Sequence, residues 1–241
     1  MPKIAVVTGA GSGVGRAVVI ELAKRGFEIA LVGRREDALK ETIALALAHS
    51  RERKLAVPCD IGNPDDVQRM ADRVRAELGD PVVVVNSAGT NVAKRSLADL
   101  TLDDYRYVID INLNGAFFVT HAFLPAMRAQ RSGTIVHIIS DAGLTANRVS
   151  GAAYIASKFG LVGLTATINV EERNNGIRAT AILPGEINTP LLDRRPVPPP
   201  QEARTKMLQP EDVAACVMLA IDLPERAVVE QLLVRPRETR G

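Results

Sequence analysis

Cysteine, histidine and tryptophan are scarce in this sequence. Tryptophan is absent, and the two cysteines, Cys59 and Cys216, lie far from each other and from any Cys or His partner at metal-ligand spacing. We therefore expect both thiols to be free and buried. His49, His121 and His137 are equally scattered, so the sequence predicts no metal site.

The sequence also has no large excess of charge and no long apolar run. The 30 basic residues nearly balance the 28 acidic ones, and a net charge of +2 creates no field that would attract DNA or RNA. Apolar runs such as residues 82–85 are far shorter than the roughly 20 residues that span a bilayer, and no export signal is visible. The sequence predicts a cytoplasmic protein that binds neither nucleic acid nor membrane.

Short β-rich apolar segments alternate with helical segments along the chain. Six of the seven predicted strands are continuous apolar runs, which is typical of parallel strands buried on both faces. The predicted strands are residues 3–7, 28–32, 54–57, 82–85, 134–138, 178–183 and 231–234. Because 241 residues suit one domain, the pattern predicts a single α/β domain of the doubly wound Rossmann type, with a seven-stranded parallel sheet and helices on both faces.

A proline-rich segment interrupts this alternation. Five prolines between positions 190 and 200 disfavour regular structure, so we expect a loop or lid over residues 190–207. Arg194, Arg195 and Arg204 on this segment either meet an acidic substrate or face solvent, and the second alternative is the more ordinary one.

A glycine-rich segment, TGAGSGVG at positions 8–15, joins the first predicted strand to a predicted helix. Its four glycines allow the backbone to approach a ligand closely, and the first N–H groups of a helix bind phosphate. The spacing departs from G-x-G-x-x-G because Val14 and Arg16 replace glycines. The segment predicts a pyrophosphate site, with a simple tight turn as the alternative.

Tyr154 and Lys158 are four residues apart, so a helix would place them on one face. A free phenol titrates near pH 10, too high for proton exchange at neutral pH, and a nearby ammonium favours the phenolate. The pair predicts a general acid and base whose pKa is lowered by Lys158. The alternative is an aromatic ring that packs beside the aliphatic part of a lysine.

Together these motifs resemble the short-chain dehydrogenases/reductases. The segment T-G-x-x-x-G-x-G at 8–15 is followed, in the order of that family, by N-S-A-G at 86–89, N-x-x-G at 112–115, a serine at 140, Y-x-x-x-K at 154–158 and P-G-x-x-x-T at 184–189. The resemblance implies an oxidoreductase of CH–OH groups that interconverts a small-molecule carbonyl and an alcohol by hydride transfer. It also implies a cofactor half over about residues 1–130 and a catalytic and substrate half over about residues 131–241.

The resemblance assigns a catalytic tetrad of Asn112, Ser140, Tyr154 and Lys158. Tyr154 would exchange the proton, and Ser140 would donate a hydrogen bond to the substrate oxygen as charge develops there. Asn112 would kink a helix and hold a water that leads to Lys158, which would also bond the nicotinamide ribose.

The resemblance further implies which residues hold the cofactor. Asp60 would touch the adenine with Ile61 beside it, and Asn86 would steady the sheet and line the cofactor. The full set of expected cofactor contacts is Gly9, Ser12, Gly13, Val14, Gly15, Arg34, Asp60, Ile61, Asn86, Ala88, Gly89, Tyr154, Lys158, Pro184, Gly185, Ile187 and Thr189.

The end of the second predicted strand distinguishes NADP from NAD. An acidic residue there binds the ribose hydroxyls of NAD, whereas an arginine binds the 2′-phosphate of NADP. Gly33 takes the place of the carboxylate and Arg34 follows it, so the sequence predicts NADP, with NAD the less favoured cofactor. Arg16 would assist. The alternative is that Arg34 and Arg35 are merely solvated at the start of a helix.

Two other functions remain open at this point. A non-catalytic dinucleotide sensor would need the glycine loop without the tetrad, and a sugar-nucleotide epimerase or dehydratase would usually need a longer C-terminal substrate domain. Residues 232–236 lack the glycine-rich tail that many tetrameric members of the family use. The resemblance therefore implies a homodimer or a homotetramer equally.

Overall fold

The computed structural model describes residues 3–238, and the fold is given for that part of the chain. Its seven strands form one parallel sheet in the order β3-β2-β1-β4-β5-β6-β7. The strands are β1 (Ile4–Thr8), β2 (Glu28–Gly33), β3 (Lys54–Pro58), β4 (Val83–Asn86), β5 (Gly133–Ile138), β6 (Ile177–Pro184) and β7 (Gln231–Val234). The helices are α1 (Gly13–Lys24), α2 (Glu36–Leu47), α3 (Pro64–Glu77), α4 (Leu102–Ile109), α5 (Gly115–Gln130), α6 (Ala152–Glu172), α7 (Gln201–Arg204) and α8 (Pro210–Asp222).

Two apolar layers cover the sheet, one on each face. Buried residues of α1 and α8 pack on one face, and buried residues of α3, α5 and α6 pack on the other. Each strand is parallel to its neighbours, as a chain that returns through a helix after each strand requires. The predicted Rossmann-type fold with helices on both faces is therefore confirmed.

The direction of strand order reverses between β1 and β4. From β1 the chain builds outward to β2 and β3, then returns to place β4 on the other side of β1. At this point Thr8 at the end of β1 is in register with Asn86 at the end of β4. Ligands of open α/β sheets bind in the crevice outside the carboxyl ends of the strands where the order reverses. The fold therefore places the glycine-rich segment and the turn after β4 at one crevice.

Burial of the strands follows their place in the sheet. The five inner strands β1, β2, β4, β5 and β6 are almost wholly buried, whereas the edge strands β3 and β7 are only partly covered. Five strands are therefore buried on both faces, one fewer than expected. An edge strand has a neighbour on one side only, and an apolar sequence does not reveal which strands become edges.

Residues 190–207 are more ordered than their prolines indicate. A 3₁₀ turn covers Pro190–Arg194, and α7 forms a single turn, so the expected absence of regular structure holds only for the residues between them. Proline fits at these places because the first residues of a helix need no N–H donor. Arg204 donates to Asp193 and to the Pro199 carbonyl, which ties the two turns together.

The cysteines are both free, but they differ in burial. Cys59 is buried, and burial raises the pKa of its thiol to about 12, which makes it unreactive. Cys216 on α8 is only half-buried, so the prediction of two buried thiols is wrong for this residue. Across residues 3–238, none of the helices combines the length and the apolar character needed to cross a membrane.

Candidate active site

A cavity of about 470 Å³ opens at the carboxyl edge of the sheet. Its wall is built by the glycine-rich segment, the turn after β4, the ends of β5 and β6, the first turns of α6 and the 190–207 segment. The predicted site residues that line it are Gly9, Ser12, Gly13, Val14, Gly15, Ala88, Gly89, Ser140, Tyr154, Lys158, Pro184, Gly185, Ile187 and Thr189.

The glycine-rich segment offers unused backbone donors to this cavity. Gly9 and Gly13 have φ of 65° and 51°, which favours glycine. The Ser12 side chain makes no capping hydrogen bond to α1, and the first turn of α1 contains no acidic residue. Free N–H groups and the positive end of the helix dipole are therefore turned toward the cavity. This donor set fits a diphosphate group.

Thr8 holds the neighbouring turn close to the glycine-rich segment. Its Oγ1 accepts hydrogen bonds from the N–H groups of Ser87 and Ala88, each at 3.1 Å. A Cβ at Gly9 would lie 2.9 Å from the Ala88 Cα, so only glycine permits this approach. The turn after β4 thereby becomes part of the cavity wall.

Arg16 is committed to contacts within the protein. Its guanidinium donates to the Gly11 carbonyl at 2.7 Å and forms an ion pair with Glu41 at 2.9 Å, and its Nε donates to Thr42. These contacts join α1 to α2 behind the glycine-rich segment. They argue against the expected assistance of Arg16 in phosphate binding.

Four residues that were expected to contact the cofactor do not line the cavity, and three of them, Asn86, Asp60 and Ile61, contact the protein instead. Asn86 is buried below the turn, where its Nδ2 donates to Thr120 Oγ1 and to a backbone carbonyl of α5, so it steadies the sheet as expected. Asp60 accepts from the Gly62 N–H and shapes the turn after β3, and Ile61 packs against Gly115. A sequence motif does not tell whether a side chain contacts a ligand or the protein beneath it.

Arg34 lies at the exposed end of β2, outside the cavity wall. Its Nη1 donates to the Tyr107 hydroxyl at 3.4 Å, and among residues 3–238 it has no carboxylate partner within ion-pair distance. Although burial acts to raise the pKa of Tyr107, hydrogen bonds and the charge of Arg34 lower it below the ordinary value. Arg34 thus remains available for an anion at the carboxyl edge.

Ser140, Tyr154 and Lys158 meet in the cavity wall. Tyr154 and Lys158 lie one turn apart at the start of α6, with the Lys158 Nζ 5.4 Å from the centre of the Tyr154 ring. Lys158 Nζ donates to the Ile138 carbonyl at 3.1 Å. Ser140, which follows β5, lies near the Tyr154 phenol, and its hydroxyl acts to lower the pKa of that phenol. Ser140 Oγ also donates to Asp141 Oδ1 at 3.3 Å and accepts from the Ala142 N–H at 3.2 Å. A serine and a phenol therefore line the same part of the cavity.

Asn112 lies behind this group, in a π-helical turn (Asp110–Asn114) between α4 and α5. Its Oδ1 accepts from the Thr90 N–H at 2.7 Å, and its Nδ2 donates to the Thr90 carbonyl and to Ser157 Oγ. The π turn is a local distortion of the kind that the resemblance implies at this asparagine. Asn112 positions the backbone after β4 against α6, and its contact with a water stays a prediction.

The pKa values of the tyrosine and the lysine are set by burial. Loss of solvent raises the pKa of Tyr154 to about 12, although the Ser140 hydrogen bond and the charges of Arg195 and Arg95 act to lower it. Loss of solvent lowers the pKa of Lys158 to about 8. The expected lowering of the Tyr154 pKa is therefore wrong for this structure, because burial is the larger effect. At neutral pH Tyr154 carries its proton.

We expect Lys158→Met to stabilise the fold near neutral pH. Burial lowers the pKa of Lys158 from 10.5 to about 8, so below pH 8 a charged amine is kept in a poorly solvated place. At about 1.4 kcal/mol per pKa unit, this penalty is up to about 3 kcal/mol and is relieved as the pH rises from 8 to 10.5. Denaturant unfolding at pH 7 and at pH 9.5 should show the variant more stable, with a smaller difference at the higher pH.

Lys94→Met provides the control, because Lys94 is exposed. Its free energy of unfolding should differ little from that of the wild type at both pH values. A Lys158→Met protein that is less stable than the wild type at pH 7 would show that the hydrogen bond to Ile138 outweighs the cost of burying the charge.

Sequence inspection missed several polar residues of the cavity wall, which are Asn91, Arg95, Asp141, Asn147, Ser150 and Glu186. Arg95 is only 8% exposed, although nothing in the sequence distinguishes it from a surface arginine. It becomes buried because the loop before α6 and the 190–207 segment close over it. Such contacts between distant segments leave no local signal.

The three arginines of the 190–207 segment have different partners. Arg195 lines the cavity and pairs with Glu186 at 2.7 Å. Arg194 does not line the cavity; its Nη1 donates to Thr90 Oγ1 at 2.7 Å. Arg204 pairs with Asp193. Of the three, only Arg195 is placed to meet a ligand in the cavity. Within residues 3–238, no three His, Cys, Asp or Glu side chains are grouped to hold a metal ion.

In a comparison with known protein families, residues 3–197 match the model of the short chain dehydrogenases. Among curated relatives, the chain is 36% identical over 242 residues to a sepiapterin reductase of Chlorobaculum tepidum, and the match covers 98% of this chain and 97% of the relative.

Solved structures give the same result. An alcohol dehydrogenase from the archaeon Thermococcus sibiricus, complexed with 5-hydroxy-NADP, superposes with a TM-score of 0.88 at 27% identity and covers 100% of this chain and 99% of its own. A metagenomic short-chain oxidoreductase in complex with NADP superposes with a TM-score of 0.84 at 29% identity, with 98% of each chain covered.

Proposed function

The chain belongs to the short-chain dehydrogenase family and is an oxidoreductase of that family, and on this basis we propose that it interconverts a carbonyl compound and an alcohol with NADP as the cofactor. The observation that carries the proposal is the meeting of Ser140, Tyr154 and Lys158 in one cavity wall, beside a glycine-rich segment with free N–H donors. The division into a cofactor half over about residues 1–130 and a catalytic and substrate half over about residues 131–241 stays a prediction.

In the proposed reaction, NADPH or NADP supplies or accepts the hydride at its nicotinamide ring. Tyr154 gives its proton to the substrate oxygen in the reducing direction, for which its protonated state at neutral pH is suited. Ser140 donates a hydrogen bond to the same oxygen as negative charge develops. Lys158 would bond the nicotinamide ribose, and its Nζ supplies positive charge 5.4 Å from the centre of the Tyr154 ring.

The rest of the proposed cofactor site follows the carboxyl edge of the sheet. The N–H groups at the start of α1 would hold the pyrophosphate, and Arg34 would bind the 2′-phosphate. Ile187 and Thr189 also line the cavity, with the Thr189 methyl group close to Gly13, and they would hold the nicotinamide end. The structures with NADP or 5-hydroxy-NADP that superpose on this chain support the choice of NADP.

The other candidate functions have less support. A non-catalytic sensor does not require a serine, a tyrosine and a lysine together in one cavity wall, and a relative with 36% identity is named as a reductase. The same relative is matched over 97% of its own length, which gives an epimerase or dehydratase with a further substrate domain less support. The homodimer or homotetramer and the cytoplasmic location stay predictions.

A screen of ketones and aldehydes with NADPH, and of alcohols with NADP, tests the proposal through the absorbance of the reduced nicotinamide. We expect turnover with at least one substrate class and the same rate in the presence of EDTA. A protein that binds NADPH but oxidises it with no carbonyl compound would support the sensor, and a loss of rate in EDTA would reveal a metal in the reaction.

A further inference from the structure

Two arginines face the cavity on the side of Tyr154. Arg95 follows the turn after β4, and Arg195 lies on the 190–207 segment. The positive charges of both act on the Tyr154 phenol, which places them near the proposed reacting atoms. Neither belongs to the tetrad or to the proposed cofactor contacts.

The charge of Arg95 has no counter-charge in the described part of the chain. Its Nη1 and Nη2 donate to the backbone carbonyls of Val149 and Arg194, at 3.2 and 2.7 Å. Its Nε is buried and has no hydrogen-bond partner among residues 3–238, and no described carboxylate lies within ion-pair distance of it. A buried charge without a partner is costly, so a buried guanidinium in a cavity wall indicates a ligand that pairs with it.

Arg195 adds a second positive charge next to the first. Burial lowers the pKa of Arg95, and the positive charge of Arg195 lowers it further. Glu186 compensates Arg195 through their ion pair, but nothing in the described chain compensates Arg95 in the same way. Two adjacent guanidinium groups repel each other unless an anion lies between them.

From this geometry we propose that the substrate carries a carboxylate, which Arg95 and Arg195 bind while its carbonyl group faces Ser140 and Tyr154. The inference rests on the proposed function and names the substrate class, a short oxo acid or the corresponding hydroxy acid. Guanidinium groups bind carboxylates through paired, charge-assisted hydrogen bonds.

One positive charge of the wall beside Tyr154 stays without a described ion pair. Glu186 pairs with Arg195 and Asp141 pairs with Arg235, whereas no described carboxylate pairs with Arg95. Lys158 is assigned to the nicotinamide ribose. A single uncompensated guanidinium suits the one negative charge of a carboxylate better than the two charges of a phosphate ester.

Arg95 also has a structural role that an experiment must separate from ligand binding. Its backbone carbonyl accepts the Ala152 N–H at the start of α6, and its side chain joins the loop before α6 to the 190–207 segment. Removal of its side chain therefore disturbs the surroundings of Tyr154 for any substrate. Arg195→Gln provides a second variant that leaves these contacts in place.

The test compares kcat/KM for short straight-chain oxo acids with kcat/KM for the neutral methyl ester of each, in the wild type, Arg95→Met, Arg195→Gln and Arg204→Gln. We expect the wild type to prefer the acids. The loss of a charge-assisted hydrogen bond should lower kcat/KM for the acids by about 10- to 100-fold in Arg195→Gln and at least as much in Arg95→Met. The esters should change by a few-fold at most in Arg195→Gln. The Arg204 side chain lies outside this cavity, so Arg204→Gln should keep the wild-type ratio of kcat/KM for the acids to kcat/KM for the esters.

Equal kcat/KM for acids and esters in the wild type, or an equal loss of kcat/KM for both in Arg195→Gln, would overturn the carboxylate site and leave the proposed reductase intact.

If no carbonyl compound is reduced, the proposed function fails, and a binding experiment tests the carboxylate site separately. The unfolding temperature of the protein with NADP should rise in sodium butyrate relative to sodium chloride at equal ionic strength, and Arg195→Gln should lose that rise. No rise with butyrate, or a larger rise with inorganic phosphate, contradicts the proposal.

Discussion

Tyr154→Phe is expected to lower kcat by about 10²- to 10⁴-fold while the affinity for NADPH stays nearly unchanged. The change removes the hydroxyl that would deliver the proton to the substrate oxygen and leaves the ring beside Lys158. Ser140 keeps its hydrogen bonds to Asp141 and Ala142 and still lines the cavity. Steady-state rates with the best carbonyl substrate and titration of NADPH fluorescence measure the two quantities separately.

Tyr105→Phe is the matched control, because the same hydroxyl is removed from a tyrosine that is 40% exposed on α4. Its kcat should equal that of the wild type. A Tyr154→Phe enzyme that works within a few-fold of the wild type would place the proton donor elsewhere. A loss of NADPH affinity as large as the loss of rate would show instead that the hydroxyl holds the cofactor.

The features that follow from short stretches of sequence could be predicted. Buried strands such as β4 are continuous apolar runs, and the observed starts of α3 and α8 coincide with Asn63 and Gln209 placed before a proline. Tyr154 and Lys158 share a helix face because of their spacing alone. The order of motifs along the chain was specific enough to identify the family.

Features that depend on contacts between distant segments could not be predicted. The high pKa of Tyr154 and the low pKa of Lys158 come from burial, which depends on how α6 packs against β5 and the 190–207 segment. Arg95 enters the cavity wall through contacts with residues about 50 and 100 positions further along the chain. Asp60 likewise accepts a hydrogen bond from the Gly62 N–H in a local turn that the motif does not specify, and it does not line the cavity.

Arg34→Ala is expected to lower kcat/KM for NADPH by about 10- to 100-fold and to change kcat/KM for NADH little, which would make the choice of cofactor depend on one side chain. Arg34 lies exposed at the end of β2 with only the Tyr107 hydroxyl as a described side-chain partner, so its guanidinium can turn to a 2′-phosphate at little cost. Arg35→Ala is the control, because Arg35 is the next residue, is also exposed, and is the N-cap residue of α2. In Arg35→Ala, the ratio of kcat/KM for NADPH to kcat/KM for NADH should remain that of the wild type.

Gly33→Asp should shift the preference from NADPH toward NADH. A Cβ at Gly33 would meet only the Leu39 Cδ2, at 3.4 Å, which is an ordinary van der Waals contact, and the backbone there is not in the left-handed region. The aspartate is therefore tolerated by the fold, and its charge would repel a 2′-phosphate and accept hydrogen bonds from the ribose hydroxyls of NAD. The measurement is kcat/KM for both cofactors in the wild type, Arg34→Ala, Gly33→Asp and the double variant. A wild type that prefers NADH, or an Arg34→Ala variant that loses both cofactors equally, would show that the end of β2 does not select the cofactor.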